Sequence, residues 1–77
     1  MQVNVMLFGQ LKEITGCDKL VVEDINSTDE MQRQLHLKYP GLKNVKYVVA
    51  VDKKITSQNL LLTENQTIAL LPPFSGG

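Results

Sequence analysis

The chain closes with Ile68-Ala69-Leu70-Leu71-Pro72-Pro73-Phe74-Ser75-Gly76-Gly77, and this stretch decides how the rest is organised. Its first part has the apolar and β-branched content of a strand, which we predict over residues 67–71 with Ile68 and Leu70 facing inward. The two prolines that follow have φ fixed at about −65° and no N–H to donate, so the strand must stop before them. We therefore predict a folded domain of residues 1–71 and a flexible C-terminal tail of residues 72–77.

The end of this tail is suited to enter a narrow site in another protein. Gly76 and Gly77 carry no Cβ, so they fit a slot that excludes other residue types, and they adopt either sign of φ. Six residues at about 3.3 Å each allow the Gly77 carboxylate to stand roughly 20 Å beyond the sheet. The alternative is an ordinary frayed terminus, since small residues are common at chain ends. We expect the rest of the chain to act as a head that presents this tail.

The first third of the sequence predicts two strands around a short helix. Residues 2–8 alternate between apolar and mostly polar side chains, as a strand with one buried face does, and Phe8 falls on the polar side. Residues 9–15 have apolar side chains three apart and precede a glycine, which indicates one or two helical turns. Residues 19–23 are rich in β-branched side chains and predict a second strand that pairs back to the first.

A long helix follows. The stretch Ser27-Thr28-Asp29-Glu30 is a capping box, in which the serine hydroxyl accepts from the Glu30 N–H and the glutamate side chain reaches back. Apolar residues four apart, with Leu35 in their centre, make one stripe that faces the core. Pro40 cannot continue a helix. We therefore predict a helix over residues 28–39.

The remaining segments predict three more strands. Residues 47–51 form a continuous apolar run that is too short for a helix and indicates an interior strand, and a turn at 52–54 leads to a short edge strand that begins at Ile55. Residues 56–62 show no clear pattern. With the strand over 67–71, the element order predicts an α+β fold, in which one mixed sheet has the long helix packed on one face.

Composition argues against several classes of partner. Eight basic and eight acidic residues give a net charge of zero, so we expect no nucleic acid and no anionic membrane to bind by bulk electrostatics. No apolar stretch approaches the roughly 18 residues of a membrane span, and no export signal is expected. Cys17 is the only cysteine, which fits a reducing, cytoplasmic setting. Partners should be recognised by shape and local patches.

Cys17 and His36 are the candidates for chemistry elsewhere in the chain. A nucleophilic cysteine needs a base, and the only histidine is predicted on the solvated face of the long helix. A lone histidine also lacks the companions of a metal site. We therefore predict a loop cysteine, a surface histidine and no metal site. No glycine-rich phosphate loop precedes a helix, so any ATP must be bound by another protein.

Both ends of the chain resemble a known family. Apolar residues that run into Pro-Pro, then one apolar residue, Ser and Gly-Gly, resemble the ending of the MoaD/ThiS family of ubiquitin-like sulfur carriers. The opening is similar as well, in Val5-Met6-Leu7-Phe8-Gly9-Gln10-Leu11-Lys12-Glu13-Ile14. A terminal Gly-Gly is shared by all these carriers, whereas the double proline points to the molybdopterin synthase branch.

The resemblance implies a ubiquitin-like β-grasp fold, in which the first and last strands lie side by side and parallel. An apolar patch would then lie beside the root of the tail, on the sheet face away from the helix, formed by Met6, Phe8, Ala69 and Leu71. The alternative for Phe8 is that it curls under the sheet edge. The partner-binding residues that we expect from the patch, its polar rim and the tail are Met6, Phe8, Lys12, Leu71, Phe74 and Ser75.

The resemblance also implies a function in molybdenum cofactor biosynthesis. The Gly77 carboxylate, next to Gly76, would be adenylated by an ATP-dependent enzyme of the ubiquitin-activating type (MoeB-like) and converted to a thiocarboxylate by a sulfur donor. The tail would then insert into the large subunit of molybdopterin synthase (MoaE-like), whose pocket would hold the pyranopterin precursor. The chain itself would bind no cofactor and would donate sulfur without catalysing the reaction.

Three other functions stay open on the sequence. The chain could carry sulfur for the thiazole of thiamine or for another product, although the double proline is less typical of such carriers. It could instead be a ubiquitin-like modifier that is joined to lysines through Gly77, or an inert β-grasp interaction domain. A thiocarboxylate on Gly77 would distinguish the carriers from the inert domain, and covalent conjugates would identify a modifier.

Overall fold

The structure is a computed structural model that describes residues 2–73. It contains the five strands and two helices that the sequence predicts. It also contains a 3₁₀ helix that the sequence did not predict. The elements in chain order are β1 (Gln2–Leu7), α1 (Gln10–Thr15), β2 (Lys19–Glu23), α2 (Thr28–Lys38), the 3₁₀ helix (Pro40–Asn44), β3 (Val48–Val51), β4 (Lys54–Thr56) and β5 (Thr67–Leu71). The prediction of α2 was one residue too long, because Tyr39 has left the helical conformation and caps the end.

The strands form one mixed sheet in the order β2-β1-β5-β3-β4. The first and last strands are parallel neighbours, with Val5 opposite Ile68, and the other three pairs are antiparallel. This confirms the α+β, ubiquitin-like β-grasp fold that the resemblance implied. Because β5 lies in the middle of the sheet, the chain after Leu71 leaves from beside the end of β1.

The core lies between the sheet and α2. Alternate residues of β1 are buried, as the period of two predicts, and Met31 and Leu35 of α2 meet them from the other side. The buried cluster consists of Val3, Val5, Leu7, Leu11, Val22, Ile25, Met31, Leu35, Leu42, Val49, Val51, Leu62, Ile68 and Leu70. All inward residues of β1 and β5 belong to it, so the side chains on the opposite face of these strands are not part of this core.

The capping box of α2 forms with one change. Ser27 Oγ accepts from the Glu30 N–H at 3.2 Å, as predicted. The Glu30 carboxylate, however, accepts from the N–H of Asn26 at 2.9 Å, one residue before the N-cap. The box therefore satisfies a donor of the approaching loop, which fixes the angle at which the chain enters α2.

The segment that the sequence left undefined, residues 57–62, is anchored to the start of α2. Thr28 is 1% exposed and bonds this segment twice, since its N–H donates to the Leu60 carbonyl and its hydroxyl accepts from the Leu60 N–H, both at 2.9 Å. Asn59 Oδ1 accepts from the Asp29 N–H at 2.9 Å. Contacts with distant residues hold this irregular segment in place, and its sequence has no periodicity. Its conformation could therefore not be predicted from hydrophobic patterns.

Candidate functional site

The face of the sheet opposite α2 carries an apolar row across four strands. The register places Met6 beside Ala69, Ala69 beside Ala50, and Ala50 beside Ile55. Successive side chains of a strand point to opposite faces, so these four share the face away from the core. Two alanines in the middle with larger side chains on both sides leave a trough along the sheet.

This trough is part of an apolar groove of about 580 Å³. It is lined by Met6, Phe8, Ala50, Asp52, Lys53, Ile55, Thr67, Ala69 and Leu71. The structure thus brings together Met6, Phe8, Ala69 and Leu71, as the resemblance implied. Phe8 is 40% exposed and Met6 is 38% exposed, so both side chains are accessible to a partner. Exposed apolar surface of this extent is typical of an interaction site.

Five groove residues were missed at the level of sequence: Ala50, Asp52, Lys53, Ile55 and Thr67. A continuous apolar run such as β3 does not tell which of its side chains face the core, because both faces are apolar. The signal that could have found Ala50 and Ile55 is strand pairing, since both follow from the position of Met6 once the register is known.

The polar end of the groove is a tight turn between β3 and β4. Asp52 and Lys53 both have positive φ, 49° and 73°, which is the arrangement of a two-residue type I′ hairpin. The Asp52 carboxylate accepts from the Thr67 N–H at 3.0 Å and from Gln66 Nε2 at 3.3 Å, so it is occupied within the fold. The exposed ammonium of Lys53 stands at the rim of the groove and is available to an acidic partner group.

Lys12 lies outside the apolar groove. It is exposed on α1, and the helix is tied to Phe8 because the Leu11 N–H donates to the Phe8 carbonyl at 3.2 Å. The side chain is not part of the groove lining, so its role as a polar rim contact stays a prediction.

The root of the tail is fixed beside the groove. Leu71 is still paired, opposite Val48 of β3, and the Phe8 N–H donates to the Leu70 carbonyl at 3.3 Å. Pro72 and Pro73 follow and are exposed. The predicted site residues Phe74, Ser75, Gly76 and Gly77 lie outside the described residues.

His36 is not the free surface residue that the sequence predicted. It is half-buried, and its Nε2 lies 2.7 Å from the hydroxyl of Tyr47, which in turn donates to Gln32 Oε1 at 2.8 Å. Because the tyrosine proton goes to Gln32, Nε2 must carry a proton and donate to the tyrosine. The prediction of a solvated His36 was wrong because Tyr47, which precedes β3, packs against this side of α2.

The environment of this network shifts two pKa values. Burial, and to a smaller extent the charge of Lys43, lowers the pKa of His36 below its ordinary value of 6.5. Burial raises the pKa of Tyr47, so its hydroxyl stays a hydrogen-bond donor at neutral pH. Burial and the charge of Lys43 therefore favour the neutral imidazole in the folded chain, where it links α2 to Tyr47, the residue just before β3.

We expect stability to fall when His36 becomes protonated. A base whose folded-state pKa is depressed contributes stability that is present above the unfolded value of 6.5 and is lost as pH falls through it. Urea denaturation at about pH 7.5 and about pH 5.5 measures this loss, since carboxylates titrate mostly near pH 4. The His36→Gln variant should lose less stability over that interval. An equal loss in both proteins would contradict the assignment, because the sequence has no other histidine.

The other candidate chemistry finds no support in the part of the chain that the structure covers. Cys17 is half-buried, and its thiol donates to the Thr15 carbonyl at 3.7 Å. Among residues 2–73, no group of three or more His, Cys, Asp or Glu side chains is placed to hold a metal ion. No helix in this range is long and apolar enough to cross a bilayer.

Comparison with known sequences gives one family. A model described as the ThiS family matches residues 5–77. A molybdopterin synthase sulfur carrier subunit of Haemophilus influenzae is 31% identical, over 97% of this chain and 99% of that protein. A protein of the same name from Arabidopsis thaliana is 29% identical, over 99% of this chain and 83% of that protein.

Solved structures share the fold over the whole chain. The small archaeal modifier protein 1 of Methanosarcina acetivorans has a TM-score of 0.85 at 25% identity, over 99% of this chain and 96% of the other. A chain in the complex of subunits 1 and 2 of the molybdopterin-converting factor of Helicobacter pylori has a TM-score of 0.74 at 30% identity, with both chains fully covered.

Proposed function

The chain belongs to the ThiS family, and on that premise we propose that it is the sulfur carrier subunit of a molybdopterin synthase in the cytoplasm. The observation that carries the proposal is the apolar groove, which lies at the root of the segment that ends in Gly76 and Gly77. Relatives that match nearly the whole chain bear that name, which supports it.

The proposed chemistry takes place at the Gly77 carboxylate. A carboxylate is a poor electrophile, so it reacts first with ATP to give an acyl-adenylate and pyrophosphate. The ATP is bound and used by a separate activating enzyme of the MoeB-like class. A donor then delivers sulfur at the oxidation level of hydrosulfide, which attacks the acyl carbon and displaces AMP, and this leaves a thiocarboxylate. Its sulfur passes to the pyranopterin precursor, held by the large subunit, to build the dithiolene of molybdopterin.

The apolar groove is the proposed docking surface for the large, MoaE-like subunit and for the activating enzyme. Docking here would bring Leu71, the last paired residue, against the partner and would direct the following six residues into it. The complex of molybdopterin-converting factor subunits 1 and 2 that contains a structural relative supports a large-subunit partner.

We expect Phe8→Ala to weaken partner binding and to leave the fold intact. The ring is 40% exposed, so its loss opens little of the core. A large aromatic side chain at the centre of an interface often contributes about 2 kcal/mol or more, so affinity for the large subunit should fall by roughly thirtyfold. Titration calorimetry with the large subunit measures the change, and circular dichroism checks the fold.

Val21→Ala is the matched control for this experiment. Val21 lies on the same sheet face because it pairs with Asn4 of β1, it is 54% exposed, and it is not part of the groove lining. Its affinity for the large subunit should stay within about twofold of the wild type, as expected outside an energetic centre. Equal losses in the two variants would show that the groove has no special role.

Mass spectrometry of the chain tests the proposal as a whole. Incubation with ATP, the activating enzyme and a sulfur donor should add the mass difference of one sulfur replacing one oxygen, located in the terminal dipeptide by fragmentation. The product should then support molybdopterin synthesis when the large subunit and the precursor are added. If the chain gains no mass while an established carrier is converted in parallel, the proposed function is wrong.

One other function has an observation in its favour. The small archaeal modifier protein 1 of Methanosarcina acetivorans is 25% identical, and its TM-score of 0.85 exceeds the 0.74 of the Helicobacter pylori chain. A modifier would use the same adenylate but transfer Gly77 to a lysine amine of another protein. Covalent conjugates that retain a Gly77 remnant on lysine would favour this function, and their absence in cells that make molybdopterin would favour the carrier.

A further inference from the structure

Gly9, in the turn between β1 and α1, lies against Pro72, the first residue after β5. Gly9, the N-cap of α1, has φ 59° and ψ −133°, a conformation that side-chain-bearing residues rarely adopt. A Cβ placed on Gly9 would lie 2.8 Å from Cγ of Pro72 and 3.7 Å from its Cδ. The proline ring therefore occupies the space that any other residue would need at position 9.

The backbone is held firmly on both sides of this contact. On one side, the Phe8 N–H donates to the Leu70 carbonyl at 3.3 Å and the Lys12 N–H donates to the Gly9 carbonyl at 3.1 Å. On the other side, Leu71 is paired with β3. The Gly9–Pro72 contact thus connects two fixed segments, the start of α1 and the end of β5.

We propose that the Gly9–Pro72 contact is a positioning element that sets the direction in which the C-terminal segment leaves the sheet. This inference rests on the proposed function, because it gives the contact a purpose in delivering Gly77. Pro72 has a fixed φ, and Pro72 and Pro73 restrict the residues before them, Leu71 and Pro72, to extended conformations, but these restrictions still leave a range of ψ at Leu71. Contact between the ring and the Gly9 backbone holds Pro72 in place relative to the apolar groove.

The expected benefit is entropic. A segment that leaves the head in a fixed direction loses less conformational freedom when it enters a partner than one that starts from a free joint. Fixing the backbone of one residue in advance changes a rate or an affinity by roughly fivefold to thirtyfold. Gly9 touches no reacting group, so its effect should appear in the reaction of Gly77 and leave docking at the groove unchanged.

Gly16→Ala is the matched control for Gly9→Ala. Both glycines flank α1 and have positive φ, but a Cβ on Gly16 meets no atom within 4 Å. Both variants should be destabilised by the strained backbone, and only Gly9→Ala should also displace Pro72. In amide spectra of the whole chain, Gly9→Ala should shift the resonances of Leu70 and Leu71 more than Gly16→Ala does.

A double-mutant cycle isolates the contact itself. Pro72→Ala removes Cγ, the atom that a Cβ on Gly9 would strike at 2.8 Å, together with Cδ. In the Pro72→Ala background, Gly9→Ala should therefore cost less stability and cause smaller shifts than it does alone. Pro73→Ala removes the same ring one residue later and should not relieve Gly9→Ala. If Gly9→Ala does not fold, the comparison of Pro72→Ala with Pro73→Ala still tests the contact, since only the first should change the resonances of residues 8–10.

The functional test separates positioning from binding. With the activating enzyme, ATP and a sulfur donor, Gly9→Ala should form the thiocarboxylate about fivefold more slowly than Gly16→Ala, at an unchanged half-saturating concentration of the chain. The spectra and the cycle do not depend on sulfur chemistry. If the spectra and the double-mutant cycle show that Gly9 and Pro72 are coupled but no variant gains mass, the proposed function is wrong and the contact between these residues is still supported. Equal spectra and equal rates for Gly9→Ala and Gly16→Ala would overturn the positioning role.

Discussion

Extension of the chain by one residue beyond Gly77, or deletion of Gly77, is expected to abolish formation of the thiocarboxylate and leave the head folded. The reason is positional, since the carboxylate carbon must reach the reacting atoms of the partner. A displacement of about 1 Å can already cost roughly 100-fold in rate, and one residue moves the carboxylate by about 3.3 Å. Mass spectrometry after incubation with ATP, the activating enzyme and a sulfur donor measures the product.

Gly76→Val should fail in the same assay for a different reason. A β-branched side chain does not fit a channel that admits two residues without Cβ, and it restricts the backbone to negative φ. Competition with the unaltered chain provides the control, because a variant that docks at the apolar groove still inhibits its conversion. Restoration of molybdopterin synthesis by the extended chain or by Gly76→Val would leave only a role as an interaction domain.

The second large effect is on stability, where Leu35→Ala is expected to lower the free energy of unfolding by about 2–5 kcal/mol. Leu35 is 3% exposed and belongs to the buried cluster between α2 and the sheet. A chain of 77 residues has a total stability of roughly 4–12 kcal/mol, so the loss removes a large share of it. Urea denaturation followed by circular dichroism measures the difference.

Leu37→Ala makes the same chemical change two residues later in α2. Leu37 is 73% exposed, so its truncation should alter stability by no more than about 0.5 kcal/mol. The contrast between the two variants reports the burial of the stripe and excludes a general effect of alanine on the helix. Similar losses at both positions would mean that α2 presents another face to the sheet.

The sequence by itself determined most of the strands and helices and the inward face of β1. A period of two in residues 2–7 requires alternate side chains on one side of a strand, and Val3, Val5 and Leu7 are buried accordingly. Ser27 and Pro40 set the ends of α2 through local rules, a cap for the free N–H groups and a ring that cannot continue the helix. Such signals act over a few residues, so they survive in any context.

Residue types alone also placed Phe8 on the outer side of β1, because parity along a strand is local. Parity could not show which residues of other strands lie next to Phe8 on that face. The order of strands and the parallel pairing of β1 with β5 came from resemblance, since neither follows from composition or periodicity.

Only the tertiary structure decided which distant residues meet. The row from Met6 to Ile55 depends on the register of three strand pairs, and a slip of one residue would send every side chain to the other face. The contact of Gly9 with Pro72 joins residues 63 positions apart, which no local pattern encodes. The helix pattern predicted that His36 faces solvent. In the structure its side chain is half-buried and contacts Tyr47, which lies far from it in the sequence. Local chemistry set most strands and helices and the buried side of β1, and packing between elements set the groove and the Gly9–Pro72 contact.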